Sequence, residues 1–302
     1  MKKISWVTHP QYDIPLPKNH KFTSSKFSDL YNELHRIGLS KHADIFVPEK
    51  ASVNDLTLVH EQQYIEKIKN GTLENHEERR LGLKWSPELA NRSFLAVNGT
   101  FLTTIKAIEK GVACHIAGGT HHSHYNFGSG YCVFNDLAYS SMHLINKGFV
   151  NKILIFDCDV HQGDGTASIL NSHSNIFTCS IHCKNNFPAR KSTSNLDVEL
   201  GDNLNSEQYL AILNETLNNC MKQFEPDLVI YDAGVDIHKN DELGKLDVDD
   251  QGLLLRDETV LSFFKELSIP IATVIGGGYS KDNMELAKRH STVFKAAKNI
   301  FL

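Results

Sequence analysis

The chain has 302 residues and a mass of 34.0 kDa, with 41% hydrophobic and 22% charged residues, a formal net charge of −5 and a pI near 6.3. That is the size and balance of a globular α/β chain, and no basic run offers a footprint for nucleic acid. No apolar run approaches the roughly 20 residues that span a bilayer, and the first residues lack a secretory h-region, so a cytoplasmic location is expected.

Taken in order, Lys3–Val7 reads as a first strand. Phe27, Leu30, Tyr31 and Leu34 recur at helical spacing, with Gly38 as the stop. A second helix is expected from Leu56 to Ile68, ending near Gly71, while residues 71–84 are polar and carry no clear signal. Ser86-Pro87-Glu88 supplies an N-cap, a first-turn proline and an acid facing the helix dipole, so a helix runs to Lys110 with Gly111 beyond it. From there strands and helices alternate. Strands are expected at 112–117, 152–157, 176–181, 228–231 and 271–275. Helices are expected at 136–147, shortly after Gly165, from near Ser206 to Phe224, from an Asp249 cap to Leu267, and over 283–300. Such alternation predicts βαβ units and an open parallel sheet with helices on both faces. No linker, repeat or low-complexity segment interrupts it, and residues 1–302 are read as one domain. The six cysteines form no C-x-x-C pair, and several lie inside apparent strands, which points to buried free thiols.

Ligands bind outside the carboxyl ends of the strands in open parallel sheets, and four polar clusters lie there. After 112–117 comes GGTHHSH, with His121 and His122. The strand at 152–157 delivers Asp157, Asp159, His161 and Asp164. After 228–231 comes Asp232-Ala-Gly-Val-Asp236, and after 271–275 comes Gly276-Gly-Gly-Tyr279. Residues two apart on an extended chain point the same way, so Asp157, Asp159 and His161 project together. Two carboxylates and an imidazole at the mouth of a buried strand are costly unless something pairs with them, and a divalent metal would do so. Asp159, His161 and Asp236 would leave positions open for water and substrate, as catalytic sites do. Zn2+ fits this sulfur-free set, which would also accept Fe2+. The paired histidines would act as base and acid, Asp157 and Asp164 as their carboxylate partners, and Tyr279 as a donor to an oxyanion. Each residue also has a plain alternative. The histidines would be surface groups, His124 structural or solvated, Asp236 a cap, the glycines a tight turn, and Tyr279 a packing residue.

These segments (GGTHHSHYNFGSGYCVFND, IFDCDVHQGDGT, YDAGVDIHKNDELG and GGGY) resemble the zinc-dependent histone deacetylases of the arginase–deacetylase fold, from about residue 9 to the C-terminus. The compact length and DAGVDIHKNDELGKLDV look most similar to the class IV branch and its bacterial relatives. The resemblance implies zinc on Asp159, His161 and Asp236. It pairs His121 with Asp157 and His122 with Asp164, and makes Tyr279 the group that polarises the substrate carbonyl. It also implies an acyl-lysine channel lined by Gly130 and Tyr131, with Phe187 opposite and Leu243 nearby. A structural potassium would sit on Asp157, Asp159, His161, Ser180 and Ile181. Tyr131 stands where the family usually has Phe, Gln162 where many members have His, and the rim aspartate that holds the peptide backbone has no clear match. The expected activity is removal of an acyl group from lysine side chains of proteins or peptides, with chains longer than acetyl favoured. Acetylated polyamines or another small amide, a non-catalytic acyl-lysine binder, and an arginase-like dinuclear hydrolase are the weaker readings. Only one set of metal ligands is expected to converge, and the sequence sets no oligomeric state.

Overall fold

A computed structural model describes residues 2–302. In chain order its elements are β1 (Ile4–Val7), α1 (Lys26–Arg36), β2 (Ala43–Phe46), α2 (Val53–Leu56), α3 (Gln62–Asn70), α4 (Asn75–Leu81) and α5 (Pro87–Lys110), then β3 (Val112–His115), α6 (Asp136–Asn146), β4 (Ile153–Asp157), α7 (Asp164–Leu170), β5 (Ile176–Cys183) and β6 (Leu196–Leu200). The chain finishes with α8 (Ser206–Gln223), β7 (Leu228–Asp232), α9 (Asp250–Glu266), β8 (Ile271–Val274) and α10 (Asn283–Phe301). The eight strands form one parallel sheet in the order β2-β1-β3-β8-β7-β4-β5-β6.

The inner strands are short, apolar and buried along their whole length, as a sheet covered on both faces demands. The helices that cover it start where their sequences provide caps. Ser86 accepts from the Leu89 amide, Asn135 from Ala138, Asp249 from Gly252, and Asn205 and Gln208 form a reciprocal capping box. All six cysteines are buried free thiols. Among the described residues no helix is long and apolar enough to cross a membrane.

Three departures from the sequence reading have local causes. The helix expected over Leu56–Ile68 is broken into α2 and α3, although its apolar spacing runs on through the break. His60 lies in that break, buried, its Nδ1 2.9 Å from the His124 carbonyl and its Nε2 accepting from the Asn135 amide at 2.9 Å. The polar stretch 71–84 holds α4, begun by a Glu74–Glu77 capping box. It escapes a periodicity search because only Leu81 of its seven residues is buried. Strands β2 and β6 are edge strands with partly exposed, charged faces, so they lack the apolar run of the inner strands.

The topology places the site. Strands β3, β8, β7 and β4 are consecutive neighbours in the sheet. The four polar clusters that follow them therefore meet side by side on one rim.

Candidate active site

The tandem histidines are built from β3 outward. Gly118 and Gly119 adopt φ of 83° and 82°, a left-handed conformation that other residues reach only with strain. Asp136 at the start of α6 then gathers the loop, accepting from the Gly119 amide at 3.0 Å and the Thr120 amide at 2.7 Å. This turns His121 and His122 inward, where both are buried. His121 Nδ1 lies 2.7 Å from Asp157 Oδ2, and His122 Nδ1 lies 2.6 Å from Asp164 Oδ1. The other oxygen of Asp164 is taken by His124 Nε2 at 3.0 Å, with His124 stacked on Phe127. His124 is thus structural, of the two roles left open by the sequence, but it acts inside the site.

The two imidazoles differ electrostatically. Burial, then the neighbouring His121, push His122 down to about 4 against the pull of Asp164, so it is neutral at pH 7. Burial opposes charge on His121 as well, but Asp157 and Asp159 outweigh it and hold that ring above its ordinary value. A neutral ring with Nδ1 committed to a carboxylate keeps Nε2 free as a proton acceptor.

Asp159, His161 and Asp236 converge beside them. His161 Nδ1 is 3.0 Å from Asp159 Oδ1 and 3.1 Å from Asp236 Oδ2. The other carboxylate oxygens take main-chain amides, Gly277 at 2.6 Å for Asp159 and Val160 at 2.8 Å for Asp236. Each carboxylate thus turns one oxygen toward the shared centre and has the other tied down. Donors 2.0–2.1 Å from one tetrahedral ion stand about 3.3 Å apart, so the spacing suits a single small divalent cation. The donors are fully or almost fully buried, and burial together with the charge of Asp159 pushes Asp236 up to about 6. A cation would remove that repulsion, so the residues fit the ion.

A second grouping was not expected. His121, Asp157 and Asp232 also have donors within 4.8 Å of one another. Its His–Asp contact is already a hydrogen bond, and both oxygens of Asp232 are buried without a partner. Burial, then the charge of Asp157, pushes the Asp232 carboxyl well above its ordinary value. Of the residues expected to hold potassium, Asp157 at the end of β4 and Ser180 within β5 are register partners.

A channel of about 310 Å3 leads down to this centre. Gly130, Tyr131, Phe187, Leu243 and Tyr279 line it, as do Arg80, Leu81 and Gly82 from the end of α4. Phe187 is 45% exposed at the mouth, its ring edge-on to His122 at 4.8 Å. Tyr131 has φ of 67°, its amide donates to the Leu81 carbonyl at 2.8 Å, and its ring packs edge-on to His20 and Phe22. Beyond the histidines and Tyr279 the space shrinks to about 30 Å3, walled by Phe22, Lys26, Phe27 and Arg92. Lys26 is buried there and donates to the Gly276 carbonyl at 2.7 Å. Room of that size takes about two water-sized groups, less than the longer acyl chains expected from the sequence would occupy.

Lys26, Arg92, Arg80, Asp136 and Asp232 all shape the site, and sequence reasoning gave none of them a role. Lys26 and Arg92 sit on helices read only from their apolar spacing and caps, and Arg80 falls in the stretch that gave no signal. Asp136 read only as a helix start. Asp232, next to the motif carboxylate Asp236 at a strand end, was the one with a usable clue.

Comparison with known proteins agrees with this geometry. Residues 20–294 match the histone deacetylase domain. An uncharacterized protein of Picosynechococcus sp. is 43% identical over 98% of both chains. Histone deacetylase 2 of Arabidopsis thaliana is 30% identical over 94% of this chain and 76% of its own length. The acetoin utilization protein AcuC of Staphylococcus aureus is 28% identical over 75% of this chain and 64% of its own. With its parallel sheet, its rim of paired histidines and carboxylates, and a domain match across most of its length, the chain belongs to the histone deacetylase family, hydrolases of amide bonds.

Proposed function

We propose that this protein is a zinc-dependent deacylase that removes short acyl groups, acetyl above all, from lysine side chains. The observation that carries this is the meeting of four elements at the foot of one channel: the His122–Asp164 pair, the His121–Asp157 pair, Tyr279, and the Asp159–His161–Asp236 donors. A divalent ion supplies Lewis acidity, polarising an amide carbonyl and making water nucleophilic at neutral pH.

The protein's own groups do the rest. His122, neutral and oriented by Asp164, takes a proton from water as its oxygen bonds to the acyl carbon. It then hands the proton to the lysine nitrogen as the C–N bond breaks. His121, its pKa raised by Asp157 and Asp159 against the opposing effect of burial, would help stabilise the developing oxyanion. Tyr279 donates a hydrogen bond from its phenolic O–H to that oxygen. Burial, then Asp159 and Asp236, raise its pKa far enough to keep the proton in place. Fe2+ would serve in place of zinc with the same donors. A potassium ion on Asp157, Asp159, His161, Ser180 and Ile181 would complete the family's metal complement, since a buried carboxylate, a hydroxyl and main-chain oxygens are donors for such an ion. One sheet and one continuous apolar core support reading residues 1–302 as a single catalytic domain, and the DAGVDIHKNDELGKLDV run supports the class IV likeness.

The channel also favours acyl-lysine over an acetylated polyamine. Its lining contains Arg80 and no carboxylate, so the distal ammonium of a polyamine would meet a like charge and no counter-charge. The test is a panel of acetyl-lysine peptide and N-acetylputrescine with purified, zinc-loaded protein. The proposal expects the peptide to be the better substrate by kcat/KM; a clear preference for N-acetylputrescine would replace it with the polyamine reading.

A further inference from the structure

Tyr279 stands at the end of three consecutive glycines, two of them with φ of 58° and 155°. Such a backbone has little stiffness of its own, so the position of the phenol depends on what grips the main chain around it. Upstream, the Gly277 amide donates to Asp159, and its carbonyl accepts from Val235 at 2.8 Å. At Tyr279 itself the grip comes from the loop after β7. Asp241 Oδ2 accepts the Tyr279 amide at 2.7 Å, and the Glu242 amide donates to the Tyr279 carbonyl at 3.2 Å. The other oxygen of Asp241 accepts two more amides, Leu243 at 2.8 Å and Gly244 at 2.9 Å. One carboxylate therefore ties together Tyr279 and Leu243, which line the same channel.

We propose that Asp241 is a positioning residue for the reaction, fixing the Tyr279 phenol relative to the channel wall that Leu243 provides. This rests on the reading of Tyr279 as the oxyanion donor. Only an acceptor-only group with two oxygens satisfies all three amides. An asparagine of the same shape keeps one oxygen for Leu243 and Gly244 but turns an NH2 donor toward the Tyr279 amide. Asp241→Asn therefore releases Tyr279 while leaving the Leu243 turn in place. A donor displaced by a fraction of an ångström loses much of its value in the transition state and little in the ground state.

The experiment is a double-mutant cycle on zinc-loaded protein, with zinc content and melting temperature measured for each variant. Asp241→Asn should lower kcat about 10- to 100-fold, with KM within about threefold of wild type and zinc content unchanged. In a Tyr279→Phe background the same substitution should change kcat by less than about twofold, because the group it positions is already gone. An equal loss in both backgrounds, or no loss in the wild-type background, overturns the assignment. If Tyr279→Phe alone retains wild-type turnover, it is the reading of Tyr279 that fails. Hydrogen exchange in the wild-type protein gives a readout that does not depend on any variant folding. The Tyr279 amide should be protected well beyond a free loop, and exchange at the rate of an unstructured peptide would also overturn the assignment.

Discussion

Lengthening the acyl group is the perturbation that most sharply separates this structure from the family resemblance. An acetyl methyl needs about the room that the 30 Å3 beyond the histidines and Tyr279 provides. Each further methylene has to displace Phe22, Phe27 or the buried side chains of Lys26 and Arg92. Forcing extra methylenes into packed surroundings typically costs about 1–3 kcal/mol, a factor of about 5 to 150 in rate. That outweighs the roughly 0.8 kcal/mol a methylene gains on burial. The assay is kcat/KM for a ladder of acyl-lysine peptides from about two to fourteen carbons, chosen so that each methylene's contribution can be read. Activity should be highest at acetyl and fall by the butyryl step, and Tyr131→Phe should not reverse the order, since Tyr131 lines the approach as well as the inner end. A rise in kcat/KM with chain length would refute the reasoning and show that the inner wall yields.

Tyr279→Phe should fold and bind metal normally, because the hydrogen bonds of Tyr279 run through its main chain, yet lose about 10²–10³ in kcat, read by steady-state kinetics beside a thermal melt. Acid should destabilise the fold through His60. Its Nε2 accepts the Asn135 amide and burial depresses it to about 4, against an unfolded value near 6.5. The unfolded chain thus binds the extra proton first: the His60 contribution is intact above about pH 6.5 and is lost as pH falls toward 4, amounting to about 2 kcal/mol at pH 5. Denaturant unfolding of wild type and His60→Asn at pH 7 and pH 5 checks this, and parallel losses in both proteins would count against it. Arg80→Glu should raise activity on N-acetylputrescine relative to an acetyl-lysine peptide, and an unchanged ratio would remove Arg80 from substrate choice.

How much was legible in the sequence depends on what each residue had to say locally. The inner strands announce themselves because Ile153–Phe156 or Leu228–Tyr231 must be apolar to be buried on both faces. The site was legible for a related reason: Asp159, His161 and Asp236 sit at the ends of such strands, and buried charge demands a partner. The His121–Asp157 and His122–Asp164 pairings came from the family resemblance, and in the structure these residues lie within hydrogen-bond distance. What escaped depends on tertiary contact. Lys26 looks like an ordinary helix-surface lysine until its amine is seen against the Gly276 carbonyl. Arg80 reaches the channel only because α4 ends there. The break at His60 arises because partners 64 and 75 residues away claim its two nitrogens, which no local pattern records.

The most direct test of the central claim measures acetate release and metal content together. Wild type reconstituted with zinc should bind one ion at Asp159, His161 and Asp236 and release acetate from an acetyl-lysine peptide. Asp236→Ala should lose both the ion and the activity. Full zinc occupancy in Asp236→Ala, or acetate release that persists in it, would contradict the account.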